Sequence, residues 1–116
     1  MSTIDIFGSI PRGRAARERV AREFAALVAR LGVRPMAARA TFFDDNGPKG
    51  GKAIRCALTT RLPRVPTVRV EHTAEAPRMA FDGALAKLER QLVQHRRRQR
   101  DNGRRPKKYF AARLTY

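Results

Sequence analysis

Apolar positions recur along this chain with two different periods, and the switches between them mark its elements. Ile4 and Ile6, with Ile10 beyond, alternate with small or polar residues and predict a short first strand over residues 4–10, broken by Gly8 and Pro11. From Arg14 to Leu31 the period changes. Ala16, Val20, Phe24, Leu27, Val28 and Leu31 recur at steps of three and four, which predicts an amphipathic helix with Arg19, Arg22 and Arg30 on the other side. Gly32 is placed to end it in a left-handed conformation. Three alternating runs follow, at 36–44, 53–62 and 67–74. The middle one is the cleanest, with Ile54, Cys56, Leu58, Thr60 and Leu62 facing one way and Arg55, Ala57, Thr59 and Arg61 the other. The first two are separated by a turn-rich stretch from Asp44 to Gly51, and the last two by a segment bracketed by Pro63 and Pro66. Pro77 suits the first turn of a second long helix with a stripe of Phe81, Ala84, Leu85, Leu88 and Leu92. That stripe stops near Leu92 while helix-compatible residues continue to about Arg100, so the last two turns are expected to project beyond the core. Asn102-Gly103 is expected to end the helix.

The order strand, helix, three strands, helix predicts an α+β fold of two layers. A right-handed crossover makes the first strand a parallel neighbour in a four-stranded sheet, covered on one face by both helices. The other sheet face is expected to be wet and basic. The chain has 116 residues, a length that suits one domain. That domain is expected over residues 1–100, with a basic tail over 101–116 that carries Tyr109, Phe110 and Tyr116.

Charge narrows the function more than the fold. Lys and Arg number 26 against 10 Asp and Glu, a net charge of +16. An Arg and Ala bias can reflect a GC-rich genome, but that explains Arg over Lys and not the excess of bases over acids. Residues 87–116 alone hold 11 bases and 2 acids. A solvated helix face ordinarily mixes signs. Arg96-Arg97-Arg98 followed by Arg100 does not, and like charges at these spacings oppose a helix unless an anion compensates. The expected partner is a polyanion, nucleic acid before membrane surface. The planar guanidinium fork bonds two phosphate oxygens at once. On this reading Lys87, Arg90, Gln91, Gln94, Arg97 and Arg98 share the polar arc of the second helix, Arg100 follows them as a further RNA-binding candidate, and Arg104, Arg105, Lys107 and Lys108 carry the basic run into the tail.

Other chemistry falls away. Cys56 is the only cysteine, so neither an intrachain disulfide nor a Cys-based zinc site is available. It is expected to pack as a small apolar residue. The N-terminus lacks the basic-then-apolar pattern of a signal peptide, and the apolar helix Phe24–Leu31 is too short to span a bilayer. Gly47-Pro48-Lys49-Gly50-Gly51-Lys52 fails the phosphate-loop pattern, with three rather than four residues between its glycines and Ala53 after the lysine. The same Gly50-Gly51 resembles the Gly-Gly-Gln tip of peptidyl-tRNA hydrolases related to release factors, but Lys52 stands where the glutamine is needed. His72 is expected on the covered face of its strand, and His95 on the projecting helix in contact with RNA or water. Asp44 and Asp45 are read as turn residues. No nucleophile, base and orienting group assemble, so no enzyme, metal, cofactor or small-molecule substrate is expected.

The turn Asp44–Gly51, the runs Ile54-Arg55-Cys56-Ala57-Leu58 and Val68-Arg69-Val70-Glu71-His72, and above all Lys87-Leu88-Glu89-Arg90-Gln91-Leu92 resemble the ribosome hibernation-promoting factor / ribosome-associated inhibitor A family over roughly residues 4–100. The resemblance implies a β-α-β-β-β-α fold. It also implies binding to 16S rRNA of the small ribosomal subunit, in the channel used by mRNA and the A- and P-site tRNAs, with translation blocked in stationary phase or stress. Matching positions are Lys87, Arg90 and Gln91 in the second helix and Arg12, Arg14 and Arg22 near the first. The chain is too short for the dimerising domain of long members, so a short form is expected, monomeric on the ribosome and cytoplasmic. The alternative is a general RNA- or DNA-binding protein without decoding-site specificity.

Overall fold

A computed structural model describes residues 4–8, 13–45, 53–63 and 66–104, with side chains described to residue 98. Its elements run β1 (Asp5–Phe7), α1 (Arg14–Leu31), β2 (Ala37–Asp44), β3 (Ile54–Arg61), β4 (Val68–Ala74) and α2 (Pro77–Arg104). The order is the one the periodicity predicts.

The four strands form one sheet in the order β1-β2-β3-β4, with β1 parallel to β2 and the other pairs antiparallel. The register stacks Ala40, Leu58 and Val70 across β2, β3 and β4, and Phe42, Cys56 and His72 beside them. Both rows face the helices. Side chains alternate across a strand, so a register that aligns the apolar sets gives one covered face. Phe24, Val28, Phe81, Leu88 and Leu92 fill the space between sheet and helices and are almost fully buried. Cys56 is fully buried among them, which pushes its thiol up to about 12.

Four sequence expectations need correction or bounding. The first strand is three residues long, not seven. Gly8, at φ 107, turns the chain out of the sheet, and Arg17 of α1 takes up the carbonyls there, donating to Ile6 O at 3.3 Å and to Gly8 O at 2.7 Å. The second helix does not stop at Asn102-Gly103 but runs to Arg104. Its departure from the core also begins later than Leu92. Val93 still packs on the core, and Arg96 still bonds to α1. The turn expected between β2 and β3 lies mostly outside the described residues, though its base is closed by Asp45 N–H donating to Ala53 O at 2.7 Å.

Two glycines fix how the helices sit. Gly32 adopts φ 66 at the end of α1, and the N–H groups of Gly32 and Val33 bond to Ala29 O and Val28 O. Positive φ is nearly free for glycine and costly for other residues. Gly83 lies inside α2, where glycine costs about 1 kcal/mol relative to alanine. It is needed because a Cβ there would overlap the imidazole of His72 on β4. The missing side chain lets α2 lie close over the edge strand, with His72 facing it as the alternation predicts.

Contacts between the helices give their direction. Arg19 reaches Asp82, Arg30 reaches Glu89, and Arg96 reaches Leu31. Residue numbers rise together, so α1 and α2 run parallel, with the C-terminal end of α1 beside Arg96 of α2.

Candidate nucleic-acid interface

The polar arc expected on α2 exists. Lys87, Arg90, Gln91 and Gln94 line an open groove of about 470 Å³ against Val70 and Glu71 of β4. Lys87 is half-buried there, and its Nζ donates to Glu71 O at 2.8 Å. This satisfies an outward carbonyl of the edge strand and leaves two ammonium donors for a ligand. Arg90, Gln91, Gln94, Arg97 and Arg98 are exposed. Arg90, Gln94 and Arg97 continue along the outermost line of the helix beside Val93. Among the described residues no ion pair includes Arg90, Arg97 or Arg98. Three exposed guanidinium groups on one stretch of α2 thus have no acid partner among the described residues. Arg100 and Arg104 belong to the same helix. Arg105, Lys107 and Lys108 lie outside the described residues.

The α1 positions divide. Arg22 is exposed, and at 100° per residue it lies about 60° from Arg19, on the solvent side of the flank that faces α2. Arg14 is also open, its side chain 91% exposed and 3.8 Å from Glu18. It lies about 140° around the helix from Arg19, on the flank away from α2. Both are exposed on α1, and neither lines the groove along the α2 arc. Arg12 lies outside the described residues.

Other arginines are structural. Arg19 bonds Glu23 at 2.6 Å and Asp82 at 3.4 Å, and Arg30 bonds Glu89 at 3.1 Å. Arg96, the first of the three consecutive arginines, turns inward and donates to Leu31 O at 3.0 Å. This caps one of the terminal carbonyls of α1, where a cation also complements the helix dipole. His95, unlike the exposed Arg96, is partly covered. It is half-buried, its Nε2 is buried with no hydrogen-bond partner among the described residues, and it lines a cleft with Leu31, Leu62, Pro63 and Leu92. Sequence periodicity placed it on a projecting helix. It turns inward because the end of α1 and the segment after β3 still cover α2 at that turn.

The wet sheet face is more aromatic and less freely basic than its sequence suggests. Arg55 donates to Asp45 at 2.8 Å and to Glu71 at 3.3 Å, and Arg69 donates to Glu71 at 2.6 Å. The hydrogen bond to Asp45 is the chief reason the Arg55 guanidinium is held above its ordinary value. Asp45 is thus an acceptor at the end of β2 as well as a turn residue. Among the described residues, no group of three or more His, Cys, Asp or Glu side chains could hold a metal ion, and no helix is long and apolar enough to cross a membrane.

Comparison with known proteins agrees with this frame. The family described as Sigma 54 modulation protein / S30EA ribosomal protein matches residues 8–100. No curated protein sequence matches significantly. Among solved structures, the N-terminal domain of Protein Y from Thermus thermophilus superposes with a TM-score of 0.63 at 24% identity, covering 79% of this chain and 94% of that one. A ribosomal subunit interface protein from Coxiella burnetii gives 0.58 at 17% identity, covering 80% and 96%. At these identities the likeness is one of fold.

Proposed function

The chain belongs to the Sigma 54 modulation protein / S30EA ribosomal protein family, a family of ribosome-associated factors rather than enzymes, and on that premise we propose that it is a hibernation-type translation inhibitor. It binds 16S rRNA of the small ribosomal subunit near the decoding channel and blocks mRNA and tRNA there under stress or in stationary phase. The observation that carries this reading is the line of exposed cations on α2. Arg90, Arg97 and Arg98 are exposed and have no acid partner among the described residues, while Gln91 and Gln94 beside them offer amides for sugar and base edges. Lys87 sits at the inner edge of the line, and the exposed Arg22 adds a cation on α1. Arg100 and Arg104, further along the same helix, and Arg12, Arg14, Arg105, Lys107 and Lys108 add phosphate contacts. Such a binder acts as a monomer in the cytoplasm, where its partner is.

The test is co-sedimentation with small subunits from starved cells across a salt series. The expected result is recovery with the small-subunit fraction at low salt, lost when Arg90, Arg97 and Arg98 are changed to Glu. Absence from ribosomal fractions at low salt overturns the proposal. Equal affinity for small subunits, tRNA and duplex DNA at matched salt would replace it with general nucleic-acid binding.

A further inference from the structure

The face of the sheet turned away from the helices carries two aromatic rings that the α2 arc does not use. Phe7 of β1 is 45% exposed. Its register partner is Thr41 on β2, and Phe43 lies two residues further along β2 on the same face. Strand spacing and rise put their Cα atoms about 8 Å apart on a diagonal. A guanidinium covers each ring, Arg39 4.7 Å from the Phe7 centroid and Arg55 4.0 Å from that of Phe43.

These pairs differ in a useful way. Arg55 is fixed in place by Asp45 and Glu71, so its plane is held over Phe43 at little further entropic cost. Arg39 is exposed and, among the described residues, forms no ion pair, so its charge is free for a phosphate or a base edge. Arg61 is exposed at the end of β3 on the same face. Between them Ala57 is buried under its neighbours, so the surface has a floor rather than a hole.

We propose that this open face is a second nucleic-acid surface, a stacking platform for two unpaired bases of single-stranded RNA. Bases freed from a duplex stack on aromatic rings and on guanidinium planes alike, and a four-stranded sheet is a known scaffold for such rings. The charge favours the same occupant. Four arginines and two acids lie on the strands of this face, and both acids stand on β1 and β4, its two edge strands. The α2 arc suits phosphates on a folded RNA, since its side chains are extended cations and amides without rings. The sheet surface therefore stands independently of the helix-side proposal, on the opposite layer of the domain.

The test titrates the full chain with an oligoadenylate of about eight nucleotides and, separately, with a blunt RNA duplex. The ring protons of Phe7 and Phe43 should shift upfield with the single strand and not with the duplex, and should do so also when Arg90, Arg97 and Arg98 are changed to Glu. That last arm separates this surface from the helix-side reading. Changing Phe7→Ala and Phe43→Ala together should weaken oligoadenylate about 25-fold, from about five-fold per ring, and leave duplex affinity within about two-fold. The tyrosine pair, Phe7→Tyr with Phe43→Tyr, should keep the single-strand affinity. Ring shifts absent with the single strand overturn the proposal without any variant. So does an equal loss for both probes.

Discussion

The seam between the two helices and the outer arc of α2 are made largely of the same residue, and they end in opposite states. At the seam, Arg19, Arg30 and Arg96 each find a partner on the facing helix, two of them an acid and the third a backbone carbonyl. On the outer arc, Arg90, Arg97 and Arg98 find none among the described residues. Arg96 and Arg97 are adjacent in sequence and point to different fates, because one residue turns the helix by about 100°. A basic run on a helix is thus not one feature. Its members are divided by rotation into those the fold uses and those left for a partner.

The sharpest way to break this contrast is to reverse the outer arc. Arg90→Glu with Arg97→Glu and Arg98→Glu should lower RNA affinity about a hundred-fold at low salt. The slope of log affinity against log salt should flatten by about 2 to 3, one increment of 0.7–0.9 per phosphate lost. The melting temperature should hold or rise, since the reversal relieves repulsion. A melting temperature that collapses would mean the arc belongs to the fold.

Gly83→Ala attacks the placement of α2 instead. Helix propensity favours the change by about 1 kcal/mol, but the new Cβ meets the His72 ring, and overpacking costs about 1–3 kcal/mol. Net destabilisation is expected in urea titrations. Adding His72→Ala should turn the same glycine change stabilising.

Arg96→Ala should cost about 1–2 kcal/mol of stability through the lost carbonyl bond, with a smaller loss of RNA affinity than Arg97→Ala. The reverse ranking in filter binding would erase the distinction between neighbours. Glu89→Ala, which frees Arg30 at a half-exposed pair, should cost no more than about 1 kcal/mol.

The smallest effect is on the covered side of the sheet. With its thiol held up near 12 by burial, Cys56 stays protonated in the folded chain where an unfolded thiol near 9.0 ionises. The unfolded state then binds fewer protons, so this group's contribution to stability is intact below about pH 9 and declines above it. Alkylation at pH 8 should be negligible until denaturant is added.

Much of this was legible before any coordinates. The two periods located all six elements, and the helix α1 from Arg14 to Leu31 falls where the pattern put it. The candidate arc was legible for the same reason, since Lys87, Arg90, Gln91 and Gln94 are related by helical spacing alone. What escaped was set by neighbours distant in sequence. His95 and Arg96 look free because nothing nearby in the chain engages them, yet His95 lines a cleft with the end of α1 and the exposed Arg96 bonds to its last carbonyl. Phe7 gives no sequence signal of its own, because a three-residue strand is too short to show alternation.

The sequence by itself determined the element order, the covered face of the sheet and the excess of positive charge, since each is written in local spacing or simple count. Only the tertiary structure decided which arginines are occupied, that the helices run parallel, and that two phenylalanines from separate strands share the open face. Those outcomes depend on which acid, carbonyl or ring comes within a few ångströms after folding, and partners up to 65 residues apart, such as Arg96 and Leu31, leave no mark in local periodicity.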